Sequence, residues 1–363
     1  MLNKVKTQLA KFGLPRIIIV GFFFFLLAAA GGRRMDLPRI FSDCIRRWGL
    51  FGILALAMVP AVQCGIGLNF GISMGIVGGL LGGLISIELG IARHPILLAV
   101  NESFAMWIAI LAAIVIGSVI AMVIGFLYGL LLNRVKGSEM TVTTYIGFSI
   151  IAFMSMMWVV LPFKKGELIM PNAGSGLRPT ISLESSYSGV MSDTLAFNIG
   201  GFAIPTGLLL FFFMMCFLVW LFMRSKTGMA MSAAGANPMF AKAAGINVDK
   251  MRIIGTILST VIAAVGILAY AQGFGFMQLY TGPQMMGFTS VAAVLIGGAT
   301  PKRATIIHVL IGTFLFQSIL AMGLTVANEY IPGSNMSEVM RLIISNGIII
   351  YAISQAKGGG SRE

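Results

Sequence analysis

Long apolar runs separated by short polar segments dominate this chain of 363 residues. In a bilayer the backbone groups of a segment must hydrogen-bond to one another, so an apolar run of about 20 residues predicts a membrane-spanning helix. Nine runs suit this role, and a tenth is shorter and contains glycines, which favours a half-spanning or broken helix. The nine lie at residues 15–30, 48–62, 72–91, 107–132, 140–161, 204–222, 253–270, 306–324 and 339–353, and the short one at 286–299.

The composition points to the same class of protein. Hydrophobic residues make up 58% of the chain and charged residues 10%, and the mean hydropathy is +0.95. A water-soluble globule of 38.7 kDa needs more polar surface than this, which excludes a soluble enzyme. The three cysteines are too few for a disulfide scaffold. The sequence therefore predicts one all-α polytopic membrane domain over residues 1–363, with about ten membrane-spanning helices, some short or broken.

The lysines and arginines are unevenly distributed among the connections. Positive loops stay in the cytoplasm. With the N-terminus inside, the inner segments hold fifteen cations and three acids, whereas the outer loops hold nine cations and eight acids. This predicts a cell-membrane protein with cytoplasmic N- and C-termini and a long extracytoplasmic loop at 162–203. Five arginines between residues 33 and 47 conflict with the rule, because this topology places them on the extracytoplasmic side. The net charge of +13 is thus topological and does not indicate a nucleic-acid site.

The first apolar run has a second interpretation. Basic residues precede it, and Ala28, Ala29 and Ala30 stand near its end, as in a secretory signal peptide with a small-residue cleavage site. Cleavage would remove one span and leave the orientation of the others unchanged.

Patterns of enzyme and metal chemistry are missing. Neither His94 nor His308 has a second histidine or cysteine at metal-ligand spacing, and no G-x-x-x-x-G-K-[ST] loop is present to cradle ATP phosphates. We therefore expect no catalytic residue, no metal and no cofactor bound by this chain. Glu88 is the single acid inside a span, where an isolated charge is costly and often functional. It also lies near enough to the helix end to reach the membrane interface.

The loop at residues 223–252 carries the most specific local pattern. Asn237 is a good N-cap, Pro238 suits the first helical position, and Gly245 suits the left-handed residue after the last turn. A helix at 238–244 is too short to be stable alone in water, so it must dock on a protein or on the lipid surface. The candidate docking residues are Ala236, Asn237, Pro238, Met239, Phe240, Ala243, Ala244 and Gly245.

This loop resembles one in the permease subunits of ABC importers for ribose, other simple sugars and nucleosides. The shared residues are Gly-Ala-Asn-Pro at 235–238 and Ala-x-Ala-Ala-Gly-Ile-Asn-Val at 241–248. Residues 65–75 and 291–300 are similar to two further segments of that family, so the resemblance covers most of the chain. There are two departures. In the first segment, Gly67 stands where the family has an acid and Phe70 where it has a serine; after the second, Pro301-Lys302-Arg303 replaces the family's Gly-rich turn.

The resemblance implies a fold like that of vitamin-B12-type importers, and it implies several partners. In such importers the short helix is a coupling helix, seated in a cleft of a separate ATPase subunit that uses ATP and Mg. A second permease subunit and an extracytoplasmic substrate-binding protein complete the assembly. Residues 136–147 are more similar to the nucleoside branch than to the ribose branch, which favours a nucleoside over a simple sugar and a heterodimer over a homodimer.

Uncharged polar residues near the glycine-rich breaks are the candidate substrate contacts. A neutral sugar or nucleoside brings no counter-ion, so a fixed charge in its path would only add desolvation cost. The alternative function is a secondary transporter driven by an ion gradient, with Glu88 as its coupling site. The candidate pathway residues are Gln63, Asn69, Ser73, Gln272, Gln278, Tyr280 and Gln284.

One further pattern is a row of glycines in the third apolar run. Gly75, Gly78, Gly79, Gly82 and Gly83 form overlapping pairs with small-xxx-small spacing. Such pairs let helix backbones approach closely, so packing between helices is the favoured interpretation.

Overall fold

The computed structural model describes residues 14–33, 35–170 and 176–330, together with residues 339, 342, 343, 346, 347 and 350. Most of this part of the chain is helical. The helices are α1 (Leu14–Gly32), α2 (Leu37–Leu56), α3 (Met58–Gln63), α4 (Ser73–Leu89), α5 (Pro95–Leu98), α6 (Glu102–Arg134), α7 (Glu139–Val160), α8 (Val190–Asp193), α9 (Thr206–Arg224), α10 (Lys226–Ala236), α11 (Pro238–Ala243), α12 (Val248–Phe274), α13 (Thr281–Ile296) and α14 (Ile306–Tyr330). Short 3-10 turns lie at Phe70–Ile72 and Ile91–Arg93, and the strands are β1 (Thr180–Ser182), β2 (Phe197–Ile199), β3 (Phe202–Ile204) and β4 (Phe276–Gln278).

Seven helical stretches in the described residues are long and apolar enough to cross a membrane. They are α2 with α3, α4 with its flanking turns, α6, α7, α9, α12 and α14. The first predicted run coincides with α1, and the predicted short run coincides with α13, which has only 16 residues. The predicted polytopic helical fold class is thus confirmed, with seven of the predicted long runs forming helices of sufficient length in the described residues. The predicted run at 339–353 lies largely outside the described residues.

Part of the arginine cluster that conflicted with the charge rule lies in the first half of α2. Arg47 pairs with Asp43 at 2.9 Å, and Arg46 donates to the carbonyl oxygen of Gly273. Both guanidinium groups also lie over the ring of Phe274, at 5.7 and 6.0 Å from its centre. Because these charges find partners within the chain, α2 begins well before the apolar run at 48–62 that predicted it.

The centre of the fold is the packing of α4 against α6 and α12. A Cβ atom at Gly75 or Gly79 would lie 2.3 or 2.4 Å from a backbone oxygen of α12. On the next face of α4, a Cβ atom at Gly82 would lie 2.4 Å from a backbone nitrogen of α6, and one at Gly78 would lie 3.1 Å from that helix. The glycines therefore form two stripes where backbones touch, which confirms the packing interpretation.

Two small strand pairs join the connections at one end of the helices. β1 pairs antiparallel with β4, with Ile181 opposite Met277, and both side chains are buried. This pairing ties the loop predicted at 162–203 to the break between α12 and α13. β2 and β3 form an antiparallel hairpin that leads into α9.

The connections at the other end of the helices form a second face, which we call the α11 face. Gly65, just after α3, approaches Gly235 at the end of α10 so closely that a Cβ atom on it would lie 2.9 Å from the Gly235 Cα. Lys136, in the turn between α6 and α7, pairs with Asp249 at the start of α12. The ends of five helices therefore meet around α11.

Candidate functional site

The helix α11 is closed at both ends by local hydrogen bonds. The Oδ1 atom of Asn237 accepts the backbone N–H of Phe240 at 3.0 Å, and Pro238 lies in the first turn. Beyond the last turn Gly245 has a φ of +78°, and the N–H of Ile246 donates to the carbonyl of Ala241 at 2.9 Å. A left-handed residue followed by such a bond is a common helix stop, and glycine adopts it without strain.

One side of α11 packs against α10 and α12, and the other side is exposed to solvent. Ala241 is fully buried and shares a small apolar cluster with Ala234 of α10 and Val248 of α12. Met239 is 83% exposed and Phe240 is 69% exposed. Paired large apolar side chains this exposed on a polar loop are typical of a protein-binding surface. We call the exposed residues 236–240 and 243–245 the coupling surface; they are the eight docking residues predicted from the sequence.

A groove runs beside α7 at the exterior of the described chain. It lies between α7, α13, the start of α4 and the turn Phe70–Ile72. Ser73 and Gln284 of the predicted pathway set meet here: Ser73 donates to the carbonyl of Pro283 at 2.9 Å, and Gln284 is exposed. We call this the α7 groove, and the side chains that characterise it are Phe70, Ser73, Thr144, Phe148, Gln284 and Phe288.

Three aromatic rings form one wall of the α7 groove. The ring centre of Phe288 lies 5.6 Å from that of Phe70 and 5.7 Å from that of Phe148. Sequence reasoning missed this wall, because the three residues come from distant segments with no shared period. The free space among these side chains is about 10 Å³, room for about one water molecule, so a larger molecule fits only after the walls separate. Aromatic rings beside the Gln284 amide would then suit a flat molecule with polar edges.

Asn69 has a different setting from Ser73, although it is close in sequence. Its side chain is buried, and its Oδ1 atom accepts from the Tyr128 hydroxyl at 2.7 Å and from the Gly71 N–H at 3.0 Å. Its Nδ2 atom donates to the Ser259 hydroxyl at 3.2 Å. These bonds hold the break between α3 and α4 against α6 and α12.

The remaining predicted pathway residues are spread along the molecule. Gln63 donates to the carbonyl of Ala304 at 2.6 Å, on the α11 face. Gln272 is buried at the opposite end, where its Oε1 atom accepts the Met191 N–H at 3.1 Å. Gln278 and Tyr280 are partly buried at that same end, between α12 and α13. The structure brings together only Ser73 and Gln284 of the seven in the α7 groove.

Glu88 lies at the end of α4 that is opposite to the α11 face. Its two carboxylate oxygens accept the backbone N–H groups of Lys164 and Lys165, each at 3.2 Å. The Nζ atom of Lys165 donates in turn to the carbonyl of Ile87 at 2.6 Å. Glu88 therefore anchors the segment after α7 to the helix end, as the interfacial interpretation of this acid requires.

The hydroxyl groups of the threonines at the start of α7 form hydrogen bonds within their own helix. The hydroxyls of Thr143 and Thr144 both donate to the carbonyl of Met140, at 2.9 and 2.8 Å. Such back-bonding removes the donor from any ligand. Thr144 thus shapes the wall of the α7 groove without offering its hydroxyl proton.

Comparison with known proteins gives the family of this chain. Residues 40–353 match the family described as "Branched-chain amino acid transport system / permease component". The chain belongs to this permease family. It is therefore a multi-pass membrane transport protein, and the resemblance drawn from the α11 loop is confirmed.

Three relatives illustrate the family. The nucleoside ABC transporter permease protein NupB of Lactococcus lactis subsp. cremoris (strain MG1363) is 24% identical over 246 residues, which are 66% of this chain and 62% of NupB. The nucleoside permease NupC of the same strain is 33% identical over 107 residues, 29% of this chain and 33% of NupC. The autoinducer 2 import permease LsrC of Yersinia pestis is 29% identical over 104 residues, 28% of this chain and 29% of LsrC. This chain thus spans less than two thirds of each relative. No solved structure matches it.

Proposed function

We propose that this chain is the permease subunit of an ATP-driven importer for a nucleoside, with a simple sugar as the second choice of substrate. One observation carries the proposal: α11 is held rigidly by its caps and by Ala241, yet it displays Met239 and Phe240 to solvent. A capped helix that buries one side and displays two large apolar residues on the other is suited to fit into a cleft of a partner protein. The names of NupB, NupC and LsrC support an ABC importer as the setting.

The partners follow from this proposal. A separate ATPase subunit binds ATP and Mg and receives the coupling surface, which places the α11 face in the cytoplasm together with the chain termini. A second permease subunit covers the open side of the α7 groove, and it is a different chain, as the match to both NupB and NupC favours. A substrate-binding protein docks at the opposite face. The energy comes from the ATPase, because a permease with equal affinity on both sides can only equilibrate its substrate.

The lining of the α7 groove suits a nucleoside once the elements around the groove separate. The residues described along it include three aromatic rings, a glutamine and a serine, and none of them is charged. A zwitterionic amino acid, which the family description also permits, would have to leave water without a charged partner in this groove. Stacking of a base on an aromatic ring contributes about 1–3 kcal/mol and needs no charge.

Substitutions in the α7 groove test the substrate class. We expect Phe148→Ala to raise the KM for uptake of a nucleoside about tenfold, since the loss of one stacking ring costs about 1–2 kcal/mol. Gln284→Ala should act in the same direction. The measurement is uptake of radiolabelled uridine and adenosine by proteoliposomes that contain the copurified ATPase and binding protein.

Phe153→Ala is the matched control for the groove. Phe153 is also on α7 and is 53% exposed, but it does not line the groove. Its substitution should leave the KM within about twofold of the original value. A tenfold change for Phe153→Ala, or an unchanged KM for Phe148→Ala, would contradict the assignment of the groove.

The alternative driven by an ion gradient is tested at Glu88. We expect Glu88→Gln to leave ATP-driven uptake within about twofold of the original rate, because an amide oxygen still accepts at least one of the two backbone N–H groups. Vesicles with the permease but no ATPase should show no uptake when a proton or Na⁺ gradient is imposed. Gradient-driven uptake that disappears in Glu88→Gln would instead establish a secondary transporter.

A further inference from the structure

A buried arginine connects the root of the coupling surface to the start of α7. Arg252 lies in the second turn of α12 and is 7% exposed. Its Nη2 atom donates to Oε1 of Glu139 at 2.7 Å, and its Nε atom donates to Oδ1 of Asn133 at 2.9 Å. Glu139 is the first residue of α7, and its second carboxylate oxygen accepts the N–H of Gly137 at 2.8 Å. Arg252 therefore joins α12 to the end of α6 and to the first residue of α7, and Glu139 also holds the turn between those two helices.

The connection from α11 to Arg252 runs through one small apolar cluster. Ala241 of α11 is buried in the same cluster as Val248, the first residue of α12. The Oδ1 atom of Asn247 caps α12 by accepting the N–H of Lys250 at 3.0 Å. A displacement of α11 must therefore carry the first turns of α12, and Arg252 with them.

On the other side, Glu139 is close to the α7 groove. Thr144 and Phe148 follow it along α7 by about 8 and 14 Å, at 1.5 Å of rise per residue. The elements on which α7 packs are α4, α13 and the turn Phe70–Ile72, which are the other walls of the groove. A tilt at the first residue of α7 therefore changes the distance between Phe148 and Phe288.

Burial makes this ion pair a firm link. The two side chains are 8% and 14% exposed, so separating them would leave each charge with little water to replace its partner. A second ion pair, Lys136 with Asp249, joins α12 to the turn just before α7, but its side chains are 43% and 52% exposed. Solvent screens such an exposed pair, and its two charges separate at little cost.

We propose that the Arg252–Glu139 ion pair is the positioning link that transmits the movement of α11 to α7 and so couples ATP hydrolysis by the partner to opening of the α7 groove. The inference rests on the proposed function, since it needs an ATPase on the coupling surface. Because both side chains are largely buried, Arg252 and Glu139 would act through the start of α7.

The test is the number of substrate molecules transported per ATP hydrolysed, measured on the whole complex in proteoliposomes. For Glu139→Gln and Arg252→Gln we expect this ratio to fall at least fivefold, while the affinity for the ATPase and the basal rate of ATP hydrolysis stay within twofold. The double variant Glu139→Arg with Arg252→Glu reverses the pair and should recover at least half of the ratio. Lys136→Gln is the matched control, since it breaks the exposed pair between α12 and the turn just before α7, and it should leave the ratio unchanged.

Several results would overturn the link. An unchanged ratio in both single variants, a loss of the ATPase from them, or an equal fall in Lys136→Gln would each do so. If the single variants do not accumulate in the membrane, the reversed pair decides: recovery of transport supports the link, and failure to insert or to transport refutes it. A wild-type chain that retains no ATPase would refute the proposed function itself, and that result is visible before any variant is made.

Discussion

Replacing Met239 and Phe240 together by glutamate should lower the affinity of this chain for its ATPase partner by about a hundredfold or more. Central apolar or aromatic residues of an interface each contribute about 2 kcal/mol or more, a factor of roughly 30. Glutamates would also bring two charges into a desolvated cleft. The fold should survive, because side chains that are 83% and 69% exposed contribute little to the protein's own stability.

The measurement for this variant is retention of the ATPase during purification, followed by titration of the isolated subunits. Phe197→Glu is the control: Phe197 is 62% exposed, but it lies in the hairpin opposite the α11 face. It should retain the ATPase with unchanged affinity. If the variant at Met239 and Phe240 binds the ATPase as tightly as the original chain does, the coupling surface is not the ATPase-binding surface.

The coupling surface can also be disturbed indirectly, by substitutions at the two caps of α11. Asn237→Ala removes a bond worth about 1 kcal/mol, and Gly245→Val forces a β-branched residue to a φ of +78°. No atom lies within 4 Å of a Cβ at Gly245, so the conflict comes only from the backbone angle. Gly245→Asn should therefore be tolerated, since asparagine accepts this angle, whereas the double variant with valine should weaken ATPase binding.

The largest effect on the fold itself is expected for Gly79→Leu. A Cβ atom at Gly79 would lie 2.4 Å from the carbonyl oxygen of Ala264, and the leucine side chain would extend further into α12. Because the obstacle is backbone, α4 and α12 must separate, and overpacking of this kind costs about 3 kcal/mol or more. We expect little folded protein in the membrane, and a melting temperature in detergent lower by about 4 °C or more in whatever remains.

Gly21→Leu is the matched control for helix glycines. Gly21 lies in the interior of α1, and no atom lies within 4 Å of a Cβ placed there. The substitution should leave both the yield and the melting temperature close to those of the original chain. Similar losses for both variants would show that the yield reports general sensitivity to leucine and not the contact between α4 and α12.

The positions of the membrane helices could be predicted from the sequence because the cause is local. An apolar run must satisfy its own backbone hydrogen bonds in lipid, and no neighbour is needed to decide that. The same reasoning failed at the start of α2, where Arg46 and Arg47 made the segment look polar. Their partners, Gly273 and Phe274, come from a distant helix, so the apolar count could not include them.

Of the two candidate sites, one could be predicted from the sequence and the other could not. The residues of α11 are neighbours in sequence, and their capping pattern could be interpreted directly. The α7 groove draws Phe70, Phe148 and Phe288 from three separate segments, and the predicted polar residues Asn69 and Gln272 have partners in the interior. Polarity near a glycine-rich break does not show whether a side chain faces a pathway or a neighbouring helix.

By itself, the sequence determined that this protein is a helical membrane protein with a capped two-turn helix in a polar loop. These properties depend on hydropathy and on contacts within a few residues. Only the tertiary structure decided that Arg252 meets Glu139, that Glu88 anchors a loop, and that an aromatic groove runs along α7. Each of these depends on which helix faces which, and helix faces are set by packing across the whole fold.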